Sequence, residues 1–216
     1  MLPITSLFSA TLETLGMVSI SGGVACLIGI PWGIFLYLIR PKSLLPFPFF
    51  YRLLSMLVNI MRSIPFIILM ITVIPLTRCL VGTSIGTAAA IVPLSLCAMP
   101  FIARIVETAL SDIPPGLIEA AVAMGATSRQ IVCKVLLPEA LFSMIQGITL
   151  MLVNLVGYSA MAGAVGGGGL GDLAIRYGYQ RFDTATMSMT IVIMIVIVQV
   201  IQWLGDRLAN TLLKRR

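Results

Sequence analysis

Few groups in this sequence could do covalent or proton-transfer chemistry, and their spacing removes most enzyme classes. Histidine is absent, so no Ser–His pair can form and an HExxH zinc site is disfavoured. Gly169-Leu170-Gly171-Asp172 reads GxGD, the form of an intramembrane aspartyl site. That chemistry needs two carboxylates converging inside the membrane, yet Asp112, Asp183 and Asp206 fall at or beyond the ends of apolar runs. Asp172 follows the glycines Gly166–Gly169, a stretch that reads as a flexible outer loop. No Gly-Lys-Ser or Gly-Lys-Thr follows that run, so there is no P-loop. If ATP drives this protein, it must bind elsewhere. Cys26, Cys79, Cys97 and Cys133 form no CxxC pair and read as small apolar residues. Thirteen methionines fill irregular cores and say nothing about a substrate.

The informative residues lie between Val106 and Ala140, the longest stretch outside the apolar runs. Pro114 and Pro115 suit the first turn of a helix, where amide donors have no partner to lose. That helix is expected to run to about Met124, with Gly125 supplying the left-handed residue that ends it. Thr127 and Gln130 have the spacing of a capping box, and Pro138 is expected to end the second helix. Leu117, Ile118, Ala120, Ala121 and Val122 make the first helix too apolar for water and too short to span. It needs a groove, in its own protein or in a partner. Glu119 is the lone acidic group on it, either a tether to that groove or a solvated surface carboxylate.

The chain has 216 residues, 59% hydrophobic and 10% charged, with a mean hydropathy of +1.07. Soluble domains carry about 25% charged residues, so the solvent for most of this chain must be lipid. A span needs about 20 apolar residues. Five segments qualify, namely Leu15–Ile39, Ile64–Leu80, Ile85–Ile105, Leu141–Val165 and Ala185–Leu204. Met1–Gly16 has no Lys or Arg and the run after it is too long for a signal core, so the first run reads as a retained span. With the N-terminus outside, Arg40, Lys42, Arg52, Arg62, Arg104, Arg129, Lys134, Arg207, Lys214, Arg215 and Arg216 fall on the cytoplasmic side, leaving Arg78, Arg176 and Arg181 outside. This bias predicts an N-out, C-in protein. It accounts for the net charge of +6 through anionic lipid, without nucleic acid. Arg62 and Arg104 come closest to buried charges and are expected to snorkel to the cytoplasmic surface.

Two spans carry patterned faces. Ser21, Ala25, Gly29 and Gly33 recur every four residues in the first, a small face for close helix contact. In the fourth, Ser143, Gly147, Asn154 and Tyr158 share one face, either the wall of a solute path or a packing surface. Pro93 and Pro100 in the third span each remove a backbone donor, and the freed carbonyls must be buried in protein or face a wet cavity.

Glu119-Ala120-Ala121, three residues, Gly125, nine residues, then Val135-Leu136-Leu137-Pro138 resembles the EAA loop of ABC importer permeases, EAA-x3-G-x9-I-x-L-P, with Val135 for Ile as the one departure. The resemblance covers roughly 12–207. Asn59–Phe66, Val81–Gly86, Pro100–Arg104 and Val156–Gly171 are similar to permeases of D/L-methionine importers. It implies an all-α integral membrane protein with five spans per subunit and the type I ABC importer permease fold, in the bacterial cytoplasmic membrane. It implies a homodimer joined by two ATP-binding subunits, which would hold ATP and Mg, and by a solute-binding lipoprotein. The permease would itself be no enzyme. Glu119, Ala120, Ala121 and Gly125 would dock on the ATPase, and Val135, Leu137 and Pro138 would fix the loop to the fourth span. Asn154, Tyr158 and Ser159 are the candidates for the translocation path, with methionine as cargo. The alternatives are another amino acid or a small anion, or a channel or scaffold without ATP coupling, against which the EAA-type loop speaks.

Overall fold

The computed structural model describes residues 4–41 and 43–213. Lys42, Lys214, Arg215 and Arg216, four of the expected cytoplasmic charges, lie outside the described residues. All regular structure among the described residues is helical. The helices are α1 (Ile4–Ile39), α2 (Pro48–Ser63), α3 (Phe66–Thr72), α4 (Ile74–Val81), α5 (Thr87–Ser111), α6 (Pro115–Ala123), α7 (Ser128–Ile131), α8 (Leu137–Ala164), α9 (Gly169–Leu173) and α10 (Thr184–Leu213). Widened π-helical turns occupy Val132–Leu136 before α8 and Ala174–Tyr179 after α9.

Four helical runs are long and apolar enough to cross a membrane, namely α1, α5, the run Ser128–Ala164 and α10. The second expected span, Ile64–Leu80, is instead broken. Pro65 disfavours helical geometry at the residue before it, and Ile64 is extended at φ −77° and ψ 123°. The chain turns by 102° between α2 and α3 and breaks again at Val73, just before Pro75. Counted as one bent span, this pair brings the total to five. The amphipathic α2 lay hidden in the sequence because Arg52, Asn59 and Arg62 interrupt its apolar residues.

The core sits along α5, whose spanning stretch is 61% buried against 17% for α10. Pro93 and Pro100 are both buried within α5, as is Ala89, whose carbonyl Pro93 leaves free, in keeping with the need to shelter such groups from lipid. The small face of α1 meets α5 directly. A Cβ added at Gly29 would stand 2.8 Å from the Met99 carbonyl oxygen, and one at Gly33 would stand 2.7 Å from Val106 Cβ. Ser21 and Ala25 are fully buried in the same seam. Lipid provides no hydrophobic drive for helices to associate, so dispersion at close backbone approach must supply it.

The glycine run after α8 is a packed turn, contrary to the flexible loop expected. Gly166, Gly168 and Gly169 all have positive φ, and Gly169, Leu170 and Gly171 are buried. Glu13 and Thr14 of α1 satisfy the free amides that open α9, with Gly169 N donating to Glu13 Oε2 at 2.8 Å and Leu170 N to Thr14 Oγ1 at 2.9 Å. Asp172 of the GxGD sequence pairs with Arg176 one turn on. At the start of α10, Asp183 accepts from Thr186 Oγ1 at 2.7 Å and from Thr186 N at 3.1 Å. These bonds, the side-chain one first, hold its carboxyl below the usual value. A lowered carboxyl pKa means this cap is intact at neutral pH and is lost only as pH falls through that lowered value.

The seam yields a paired test. Gly33→Val is expected to destabilise the protein by about 1–3 kcal/mol through overpacking against α5. Gly16→Ala, where nothing lies within 4 Å, is expected to be neutral or to stabilise by about 0.5–1 kcal/mol. Thermal unfolding in detergent checks both.

Candidate functional sites: the helical loop and the polar wall

The loop after α5 is built as its residue types demand. Pro114 is extended at ψ 131° and Pro115 takes the first helical position of α6. At the far end the amide of Ala126 donates to the Ala121 carbonyl at 3.1 Å and that of Gly125 to the Val122 carbonyl at 2.9 Å, with Gly125 at φ +77°. This is a Schellman closure, and it needs a residue at ease in the left-handed region. Thr127 and Gln130 then form the reciprocal capping box that starts α7.

Pro138 does not end the second helix. The helical path continues from Ser128 to Ala164, with Pro138 in the first turn of α8. Within an α-helix a proline ring clashes with the carbonyl four residues back. The π-helical turn Val132–Leu136, in which the amide of Leu137 donates to the Val132 carbonyl, widens the helix immediately before that point. The proline is absorbed, and the loop joins the fourth span through unbroken helix.

The sequence left open whether α6 finds its groove in its own chain. Its own chain covers one edge only. Ala121 is buried and Ile118 half-buried against the core, while Leu117, Val122 and Met124 are 44%, 53% and 81% exposed. Ala120 and Glu119 are exposed as well, and no group among the described residues bonds the Glu119 carboxylate. Val135 and Leu137 pack against the core beside the fully buried Leu136, whereas Pro138 is exposed.

The polar face expected on the fourth span is split. Gly147 turns toward α5, where an added Cβ would overlap the Ile105 side chain. Tyr158 is half-buried and stacks on Phe66 with ring centroids 5.1 Å apart. Asn154 is exposed, in a stripe with Ser143, Gln146, Leu150, Gly157 and Met161. Ser159 does not belong to this face. Five residues past Asn154 it lies about 140° around the helix, is 1% exposed, and donates its hydroxyl hydrogen to the Val156 carbonyl at 2.7 Å. Its hydroxyl is satisfied inside the protein. Gln146 is the polar member of the stripe that the sequence pattern missed.

Arg104 and Arg62 do not snorkel freely. Arg104 pairs with the buried Glu107 at 2.7 Å, and the Arg62 guanidinium lies 4.8 Å over the Phe101 ring. Glu107 carried no visible signal, because a single acid near a span end reads as surface until its burial is known.

The sequence profile of the family described as binding-protein-dependent transport system inner membrane component matches residues 29–214. A probable D-methionine transport system permease protein MetI of Vibrio cholerae is 54% identical over 204 residues, covering 94% of this chain and 91% of that protein. The D-methionine transport system permease protein MetI of Escherichia coli is 58% identical over 151 residues, 70% of each chain. Among solved structures, a chain of the MetNI methionine ABC transporter in an inward-facing conformation superposes with a TM-score of 0.95 at 51% identity, covering 97% of both chains. An amino acid ABC transporter at 18% identity and TM-score 0.77 shares the fold.

One consequence concerns α6 alone. Gly125→Val forces a branched side chain into left-handed backbone, which costs about 1–2 kcal/mol. Hydrogen exchange at the amides of Gly125 and Ala126 is expected to accelerate while exchange in α5 stays unchanged.

Proposed function

The chain belongs to the family of binding-protein-dependent transport system inner membrane components, and on that premise we propose that it is the membrane-spanning permease of an ATP-driven methionine importer. It is a transport subunit of the type I importer class and works as a dimer with ATPase partners. The identity of 51–54% across more than nine-tenths of the chain with methionine-system permeases supports methionine, D or L, as the solute. A solute-binding lipoprotein delivers it from outside, and the orientation is N-out, C-in. ATP and Mg belong to the ATPase subunits, and no bond is made or broken in this chain.

The observation that carries the coupling role is the uncovered side of α6. Leu117, Val122 and Met124 lie exposed on a helix whose other edge is packed, which is how a helix looks when it docks its remaining face in a partner's groove. Glu119, Ala120 and Gly125 belong to that docking element, with Ala121 seating it on its own chain's core, and Glu119 holds a donor on the ATPase. Val135, Leu137 and Pro138 lock it to α8. Closure of the ATPases on ATP then moves α6, α5 and α8 together. Nucleotide drives this only as far as it binds the two permease states unequally.

The exposed stripe of α8 around Asn154 and Gln146 lines the path, with Tyr158 at its margin and Ser159 behind it. A zwitterion crossing lipid is costly, and amide side chains replace part of its hydration.

Two measurements test this. The reconstituted complex is expected to take up labelled methionine only with ATP, with competition by methionine and not by other amino acids. Uptake of a different solute would discard methionine and keep the permease, while failure to bind any ATPase would overturn both. Glu119→Lys combined with Gly125→Pro is expected to cut uptake and stimulated ATP hydrolysis together by about tenfold or more, within the range of allosteric coupling energies.

A further inference from the structure

An ion pair between the buried Glu107 and the half-buried Arg104 sits where α5 leaves the membrane for α6, and it points sideways. Glu107 is 4% exposed. Its carboxylate accepts from Arg104 Nη1 at 2.7 Å and from Tyr51 Oη at 2.9 Å. Arg104 Nη2 donates onward to Asn59 Oδ1 at 2.7 Å and Ser55 Oγ at 3.0 Å. Tyr51, Ser55 and Asn59 stand four residues apart, one above another on a single face of α2. Three successive polar steps of that face are therefore taken up by two residues of α5, while the next, Ser63, donates to the Asn59 carbonyl of its own helix. One turn past Glu107, Ser111 Oγ donates to the Glu107 carbonyl at 2.6 Å and accepts from Arg40 Nη1 at 2.5 Å. Three residues further on, Pro114 and Pro115 open α6.

Stability alone does not require this arrangement. Buried ion pairs replaced by apolar residues of similar size are often neutral or more stable, whereas charge pairs specify register and discrete seatings. Apolar packing already holds the two helices, through Val58 and Leu54 of α2 against Ala103 of α5. The polar ladder adds direction. It also borders an open groove of about 750 Å³ lined by Tyr51, Ser55, Asn59 and Ser63 on α2 and by Pro65 and Ile68 beyond the 102° bend. A displacement of α2 against the bend reshapes that groove.

We propose that Glu107 and Arg104 are positioning residues that carry movement of α6 into α2, so that the bent second span opens or closes its groove together with the ATPases. This rests on the docking role given to α6. The ladder has two seatings, one with Glu107 on Tyr51 and Arg104 on Ser55 and Asn59 and one shifted along that face, and nucleotide state selects between them.

The test uses the complete complex of permease, ATPase and binding protein in liposomes, reading methionine taken up per ATP hydrolysed. Arg104→Met combined with Glu107→Met keeps volume and packing. Tyr51→Phe removes a single hydrogen bond and guards against misassembly of the double variant. The expected result is assembly and stimulated ATP hydrolysis within about twofold of the unaltered complex, with solute moved per ATP down about tenfold in the double variant and a few-fold in Tyr51→Phe. Unchanged solute per ATP in both variants would overturn the inference, as would uptake and hydrolysis falling in parallel, the mark of a purely structural pair. An unaltered complex without ATP-dependent uptake would instead remove the permease reading itself.

Discussion

A helix bundle in lipid gains nothing by hiding apolar side chains from a solvent equally apolar, so its helices must be held by fit and by polar groups. In this protein that constraint is met first along the seam of α1 and α5. Gly29 and Gly33 let the backbone of α1 reach the Met99 and Ala103 carbonyls, and Ser21 returns its hydroxyl hydrogen to its own helix at Met17. The other elements are referred to this pair. The N-terminal turns of α1 cap α9 through Glu13 and Thr14, α8 packs Gly147 on Ile105 of α5, and α2 is bonded to Glu107 and Arg104.

The breaks in regular structure sit where prolines meet the requirement that backbone groups stay satisfied away from water. They are resolved in three ways. Pro93 and Pro100 are buried inside a helix that continues through them. Pro138 is accommodated by a π-helical turn that keeps loop and span one element. Pro65 is not accommodated, and the chain bends by 102°. Pro138 thus leaves loop and fourth span one continuous helical run, whereas Pro65 divides the second span into two helices.

The exposed side of α6, the exposed stripe of α8 and the groove at the bend are each left uncovered by the rest of the chain. Glu119 stands free on the exposed α6, whereas the buried Glu107 is paired with Arg104.

Much of this was legible in the residues themselves. Lipid as solvent followed from composition, and four of the spans followed from apolar length. The left-handed Gly125, the capping box of Thr127 and Gln130, and the small face of α1 follow from local rules, because each depends on neighbours within one or two turns. Tertiary structure decided what depends on distant partners. Whether Pro138 would stop a helix turned on room for a π-helical turn, and whether Gly166–Gly169 would be loose turned on Glu13 and Thr14, about 150 residues away in the chain. Ser159 faces inward because α8 is packed between α5, α9 and α10. Arg104 is paired because α2, unseen as a helix in the sequence, brings Tyr51, Ser55 and Asn59 to it. Periodicity gives a helix its faces, but only packing against other helices says which face meets lipid, protein or solute.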